Sequence, residues 1–192
     1  MGRNTTRALA KLAGEHNWIV VSGLALGIDT EAHIGCLEST APTVAILACD
    51  VRAPSPKSNA ALADQILEKG GCLIAEVPPG TTTEGHALVA RNRLQAAWAK
   101  SVLVTQCGIP SGTLHTARFA LELGRPLIVL EPPKGGIGDQ YAGNLALTQE
   151  YKFDSRILGG SKKFQALFGS RSRGADISIG SLSQFEEYLD HA

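Results

Sequence analysis

The sequence predicts a doubly wound α/β fold, in which a mostly parallel sheet carries helices on both faces. Short runs rich in Val, Ile and Leu recur along the 192 residues. They are continuous rather than alternating, as in strands that are buried on both faces of a parallel sheet. Segments of helical period separate these runs, and such alternation is typical of this fold class. The predicted strands are WIVVSG (18–23), TVAILA (43–48), CLIAEV (72–77), SVLVTQ (101–106) and PLIVLE (126–131).

Helical segments lie between these strands and at the C-terminus. One of them ends at a glycine pair suited to a helix C-cap, and either Ser181 or Ser183 can cap the last. After Pro132 the pattern weakens, and we expect a mobile loop over 169–174. No second domain is evident, so we expect one domain over 1–192. The predicted helices lie in TTRALAKLAGEH (5–16), NAALADQILEKGG (59–71), RNRLQAAWAK (91–100), GTLHTARFALELG (112–124) and SLSQFEEYLDHA (181–192).

The composition excludes a global electrostatic attraction to nucleic acid or membrane. Lys and Arg together number 18, as do Asp and Glu, so the net charge is zero and a polyanion must be bound by a local patch. The four cysteines lie far apart beside apolar segments, which predicts buried free thiols in a reducing compartment. No apolar run approaches the roughly 20 residues of a membrane span, and no signal peptide is evident. We therefore expect a cytoplasmic protein that makes no membrane contact.

The segments that follow the strands are the candidate binding sites, because ligands of an open parallel sheet bind beyond the carboxyl ends of its strands. SGLALGID (22–29) follows the first strand. Ser22, Gly23 and Gly27 let the backbone approach an anion there, and a helix N-terminus presents free amides to it. Such turns also occur without ligands, and Asp29 can simply cap the helix. Phosphate contact and a purely structural turn are both open.

Two further turns offer groups that bind anions. After the second strand, Lys57 precedes a helix that Asn59 can cap, although a solvated lysine is the alternative. After the fourth strand, hydroxyls and bare amides open a helix and form a second anion-binding turn. The residues of that turn are Ser111, Gly112 and Thr113, with Thr116 one helical turn further on.

The third strand leads to a pair of arginines. Arg91, Asn92 and Arg93 stand at the predicted start of a helix, where the macrodipole disfavours cations. That cost is offset if the arginines meet phosphates or buried carboxylates such as Glu76. One arginine can contact a phosphate while the other pairs with a carboxylate.

Catalytic and metal-binding arrangements are not evident at readable spacing. No carboxylate pair, His/Cys cluster or Ser-His-Asp set stands out, and His33, His86 and His115 are typical of surface or helix-packing positions. We therefore expect that the protein is not an enzyme, and that the carboxyl edge of its sheet binds a phosphate backbone without a metal or cofactor.

Six segments resemble, in order and spacing, the DNA-processing protein A family, also called DprA or Smf. The resemblance covers about 2–147 and leaves an extension over about 148–192. It implies an extended Rossmann-like fold that binds single-stranded DNA and passes it to a RecA-type recombinase during natural transformation. It also implies a homodimer that needs no catalytic step. The segments are VVSGLALGIDTEAH, TVAIL, PSPKSN, AEVPPG, ARNR and SGTLHTARFALELGR.

The resemblance places the family's basic pocket on Lys57, with the arginines of RNR and the SGLALGID and SGT turns along the same edge. Lys and Arg in such a pocket hold phosphates without sequence choice. The resemblance implies a first strand with a Gly-Ser-Arg turn before Gly2, and the sequence does not contain it. The position in the first motif that is often basic in the family is Leu26 here. No N-terminal helical domain or C-terminal winged helix is recognised. We expect a minimal or truncated member.

Two other functions stay open. The wider Rossmann group includes phosphoribohydrolases, which carry a Pro-Gly-Gly-x-Gly-Thr turn followed by a glutamate. The matching turn here is IPSGTLHTA (109–117), with Thr116 where the glutamate would be wanted, so hydrolysis is disfavoured. A sensor of a small nucleotide would use the same anion-binding turns.

Overall fold

The computed structural model describes residues 2–82, 85–133, 138–150 and 153–192. In these ranges parallel strands alternate with helices, which confirms the predicted α/β class. The strands are β1 Val20–Ser22, β2 Thr43–Leu47, β3 Cys72–Ala75, β4 Val102–Val104, β5 Leu127–Leu130 and β6 Ile177–Ile179. The α-helices are α1 Gly2–Glu15, α2 Ile28–Glu38, α3 Ala60–Glu68, α4 Gly85–Trp98, α5 Gly112–Glu122, α6 Ala142–Thr148, α7 Lys162–Phe168 and α8 Leu182–His191.

The strands hydrogen-bond as two parallel sheets of three, in the orders β1-β2-β3 and β4-β5-β6. All five predicted strands form. Strand β2 is one residue shorter than its apolar run, and the other four are two or three residues shorter. The sixth strand was not predicted, because Ile177–Ile179 is too short for its apolar residues to show a period. Helices α6 and α7 were missed for the same reason, since each has only 7 residues.

Contacts divide the chain into two compact units. The first comprises residues 1–95 and 182–192, and the second comprises residues 96–181. The expectation of one domain over the whole chain stays a prediction. No helix in the described ranges has both the length and the hydropathy that a membrane span requires.

The core of the first unit forms where α2 and α3 pack on the sheet. Leu47 of β2 and Ile66 of α3 are almost fully buried in it. Helix α1 packs closely on α2, and a Cβ at Gly35 would collide with the backbone carbonyl of Arg7. Helix α8 also belongs to this unit and packs on α1.

The core of the second unit surrounds β5. Leu127, Ile128 and Val129 are all fully buried, as expected for a strand covered on both faces. Leu114 of α5 and Leu147 of α6 pack in the same core. The continuous apolar run that predicted this strand therefore reflects its burial.

Helix α4 corrects one prediction about the arginines. It begins at Gly85, so Arg91 and Arg93 lie in its middle, and the prediction that they stand at a helix start is wrong. The residues before Arg91 include Ala and Leu, which are good helix formers and extend the helix towards the N-terminus. The macrodipole cost that singled out these arginines is therefore absent. At the C-terminus, α8 begins at Leu182, so Ser181 rather than Ser183 directly precedes the helix.

Candidate functional site

The turn after β1 is held in an unusual backbone conformation. Leu24 has a φ of 60° although it is not a glycine, and Gly27 has a φ of 94°. The side-chain amide of Asn59 donates to the carbonyl oxygen of Leu24 at 2.8 Å and to the Thr30 hydroxyl at 2.9 Å. Asp29 accepts a hydrogen bond from the Ala25 amide at 3.2 Å. These bonds fix residues 23–27, which we call the β1 turn.

Two predicted capping roles differ in the structure. Asp29 lies in the first turn of α2, but its carboxylate binds the amide of Ala25 in the β1 turn. Asn59 occupies the position before α3, but its side chain makes no cap hydrogen bond and reaches the β1 turn instead. Both side chains therefore support the turn rather than the helix that follows them in sequence.

Arg91 joins the carboxyl ends of two strands. Its Nη1 donates to the carbonyl oxygen of Gly23 at 2.8 Å and also to that of Ile46, and the residue is only 7% exposed. Burial lowers the pKa of Arg91, while the negative charge of Asp29 opposes this effect. The Arg91 side chain is therefore a buried clamp between β1 and β2.

The structure explains why position 23 is a glycine. A Cβ there would collide with the guanidinium of Arg91. The close approach that the bare backbone permits is therefore made by a protein side chain. This contact joins Arg91 to the β1 turn at Gly23. Asn59, at the N-terminal end of α3, supports the same turn.

His33 lies in the same buried region of the first unit. Its Nδ1 is 2.8 Å from the Thr43 hydroxyl, and that hydroxyl donates to the Val20 carbonyl at 2.7 Å, so Nδ1 carries the proton. Burial, followed by the positive charge of Arg91, lowers the pKa of His33 to about 3. His33 is a neutral helix-packing residue, one of the two roles expected for it.

Arg93 and Asn92 differ in exposure although they are neighbours. Arg93 forms an ion pair with Glu76, and both side chains are about half exposed, so Glu76 is not the buried carboxylate that was predicted. The ion pair lowers the pKa of Glu76. Asn92 is buried, and its Oδ1 accepts from Arg91 Nε at 3.3 Å. Of the two predicted alternatives for the arginines, carboxylate pairing therefore applies to Arg93.

Lys57 presents an exposed cation at the carboxyl end of the first sheet. It begins the 3₁₀ helix Lys57–Asn59, which leads directly into α3. Among the residues that the structure describes, its ammonium group has no carboxylate partner. Because Asn59 binds the β1 turn, the backbone ties Lys57 to that turn as well. Ser22, the last residue of β1, is buried just before the turn.

The sequence reasoning missed Asp50, which organises the loop before Lys57. Its carboxylate accepts from the Arg52 amide at 2.9 Å, the Arg52 guanidinium at 2.7 Å and the Gly80 amide at 2.7 Å. These bonds, led by the Arg52 side chain, hold the pKa of Asp50 well below its usual range. The available signal was an aspartate shortly after a predicted strand, at the edge where ligands bind.

The second unit contains the other predicted turn. Ser111 caps α5, because its hydroxyl accepts from the Thr113 amide at 3.2 Å. Gly112 is exposed at the first helical position, and Thr116 is partly buried one helical turn later. That this turn and Lys57 bind one ligand stays a prediction.

Asn144 clamps the strands of the second unit and was not predicted. It is fully buried, donates to the Leu130 carbonyl at 2.9 Å and accepts from the Cys107 amide at 2.7 Å. It therefore joins the end of β5 to the segment that follows β4. No sequence signal distinguished this asparagine from the surface asparagines of a loop-like region.

The cysteines are free thiols, as predicted. Cys36, Cys49 and Cys107 are buried, whereas Cys72 is half-buried. Burial raises the pKa of Cys107 to about 12, which keeps this thiol protonated at neutral pH.

Comparison with known proteins identifies the family. A family model described as DNA recombination-mediator protein A matches residues 1–151. A putative DNA processing protein DprA of Mycobacterium tuberculosis is 39% identical over 132 residues, which cover 69% of this chain and 34% of that protein. The chain thus spans about a third of the length of that relative.

Solved structures agree with this assignment. DprA from Streptococcus pneumoniae matches with a TM-score of 0.65 and 31% identity over 74% of this chain and 49% of that one. DprA from Helicobacter pylori, whose structure concerns a single-stranded DNA binding mode, matches with a TM-score of 0.72 over 99% of this chain and 74% of that one. At 22% identity the latter shows the fold alone. The chain belongs to the DNA recombination-mediator protein A family, the DprA/Smf proteins of DNA processing.

Proposed function

We propose that this protein binds single-stranded DNA through the phosphate backbone and mediates DNA recombination. Membership of the DprA/Smf family, through the match over residues 1–151, is the observation that carries the proposal. Single-stranded DNA is the ligand named for the Helicobacter pylori relative of the same fold. The proposed site is built from the residues predicted from sequence, some as phosphate contacts and some as buried supports, with Lys57 and the β1 turn at its centre.

The arrangement at the first sheet supports phosphate binding. Lys57 supplies an exposed positive charge, and Gly27 leaves the N-terminus of α2 without a side-chain cap. Backbone amides at a helix N-terminus attract anions, and a nearby lysine adds a charge contact. Arg91 and Asn92 contribute by holding β1, β2 and the turn in place rather than through exposed groups. None of these contacts reads a base, so we expect little sequence preference.

We also propose that the protein acts by binding rather than by catalysis, as a homodimer that delivers DNA to a RecA-type recombinase in the cytoplasm. The family description, a recombination mediator, supports the handover. Thr116, which stands where the related hydrolases carry a glutamate, supports a non-enzymatic role. Four free thiols are consistent with a reducing compartment.

Titration of a fluorescent single-stranded oligonucleotide at low salt tests the proposal. We expect Lys57→Ala to weaken binding about two- to fivefold, the effect of one exposed charge contact. Lys69→Ala is the matched control, because Lys69 is also exposed but follows the opposite end of α3. Arg91→Ala is unsuitable here because it removes a buried clamp. No binding by the unmodified protein at low salt would reject the proposed function.

A further inference from the structure

Of the three basic residues of helix α1, two form ion pairs and one does not, among the residues that the structure describes. Arg3, Arg7 and Lys11 are spaced four residues apart, which places them on one face of the helix. Arg7 forms an ion pair with Glu38, and Lys11 Nζ lies 3.5 Å from Glu15. Arg3 is exposed, and among the residues that the structure describes it has no ion pair or hydrogen bond. The face therefore ends in an unpaired guanidinium at its N-terminal end.

That guanidinium lies against the β1 turn. Its Nη2 and Nε atoms are 3.7 and 3.8 Å from the position that a Cβ of Gly27 would occupy. Gly27 directly precedes α2, so Arg3 lies beside the N-terminus of a second helix. Because position 27 has no side chain, the flat guanidinium can lie next to the half-buried backbone of Gly27.

The electrostatics of this position favour a bound anion. The N-termini of both α1 and α2 carry partial positive charge, and the first turn of α1 contains no acidic residue. The two acidic residues in the first turn of α2 are already engaged. Asp29 accepts from the Ala25 amide, and Glu31 lies 3.9 Å from Arg7. Neither carboxylate pairs with Arg3, so among the described residues the charge of its guanidinium is not matched at the β1 turn.

We propose that Arg3 binds a phosphate group of single-stranded DNA at Gly27, next to the β1 turn. The inference rests on the proposed function and adds a residue to that site. A guanidinium suits this role because its planar donors bind two phosphate oxygens at once. Lys57 and Arg3 then supply charge to the same turn from two elements, the 3₁₀ helix before α3 and the start of α1.

The test compares Arg3→Gln with Lys11→Gln. Both substitutions remove one positive charge from an exposed site on the same helix, so they alter the net charge equally. A fluorescent 20-residue oligothymidylate is titrated at several salt concentrations. We expect Arg3→Gln to weaken binding about two- to fivefold and to reduce the slope of log K against log salt by about 0.7, the value for one phosphate on a single strand. Lys11→Gln should change neither, and Arg3→Lys should restore part of the affinity.

Thermal unfolding of the variants confirms that each remains folded. If the unmodified protein binds the oligonucleotide and Arg3→Gln behaves like Lys11→Gln, Arg3 is not a phosphate ligand, while the proposed function stands. If the unmodified protein does not bind, the proposed function fails and this inference fails with it. A loss of affinity without a change in the salt slope would also contradict a phosphate contact at Arg3.

Discussion

The guanidinium of Arg91 meets carbonyl oxygens rather than carboxylates or solvent. Gly23 and Ile46 each place a carbonyl against it, at the ends of β1 and β2. Carbonyls carry only partial negative charge, and the charge of Asp29 offsets the burial of Arg91 only in part, so the pKa of Arg91 is lowered. Such a residue stabilises the strand ends because it satisfies acceptors that would otherwise be buried without a donor.

Arg91 and Arg93 offer a matched pair of substitutions on one helix. We expect Arg91→Ala to reduce the free energy of unfolding by about 2–4 kcal/mol, because buried carbonyls lose their donor. Arg93→Ala should cost less than about 1 kcal/mol, since it breaks an ion pair between half-exposed side chains. Urea unfolding monitored by circular dichroism measures both. Equal losses in the two variants would contradict the assignment of Arg91 as a buried clamp.

The contacts of single residues were the least predictable part of the site. Sequence reasoning selected Arg91 and Arg93 together and offered phosphate or carboxylate as partners. Arg93 meets a carboxylate, but a backbone partner for Arg91 could not be foreseen, because it depends on how α4 crosses the ends of two strands. Leu24 shows the same limit, since nothing in its side chain indicates a positive φ.

At the scale of elements, Asp50 links the loops that follow β2 and β3. Its carboxylate accepts from Arg52 in the first loop and from the Gly80 amide in the second, and its own amide donates to the Thr81 carbonyl at 3.0 Å. The loop that carries Lys57 is thereby anchored at its beginning by Asp50 and at its end by Asn59. An exposed cation on a loop held at both ends loses less conformational freedom when it binds a ligand.

The lowered pKa of Asp50 predicts acid-dependent stability. A carboxyl group whose pKa is lower in the folded protein stabilises it above the unfolded pKa of about 3.9, and this contribution disappears as the pH falls further. Asp50→Asn should therefore lower the melting temperature at pH 7, and the difference from the unmodified protein should shrink below about pH 4. Asp64→Asn, at an exposed site on α3, is the control. A difference that stays constant from pH 7 to pH 3 would contradict the role of the charge.

The elements themselves were largely predictable, and their errors have physical causes. The strands appeared in the sequence because burial on both faces requires continuous apolar runs. The start of α4 was missed because the sequence PPGTTTE, which precedes it, is typical of a loop and obscured the helix formers that follow. Beyond Pro132 the elements have three to seven residues, apart from α8, and a period cannot be read from so few positions.

At the scale of the molecule, the balance of charge limits the proposed binding of DNA. Lys and Arg equal Asp and Glu at 18 each, and several exposed arginines already pair with carboxylates. Attraction over long distances is therefore weak, and affinity depends on the few cations without partners. Lys57 and Arg3 are the two that the structure ties to the β1 turn. The family could be recognised from sequence, because six short motifs in order are specific, although each alone is weak.

A small number of phosphate contacts predicts a shallow dependence on salt. With two to four contacts, of which Lys57 and Arg3 supply two, the slope of log K against log salt should be about −1.4 to −2.8, so raising salt from 50 to 200 mM should weaken binding about 7- to 50-fold. Oligothymidylate and a mixed-sequence strand should give the same slope, because the proposed contacts are made to phosphates rather than to bases. Fluorescence anisotropy over a salt series measures it. A slope steeper than about −5 would indicate about seven phosphate contacts, far more than the two cations tied to the β1 turn supply, and a flat line would mean that binding does not depend on phosphate charge.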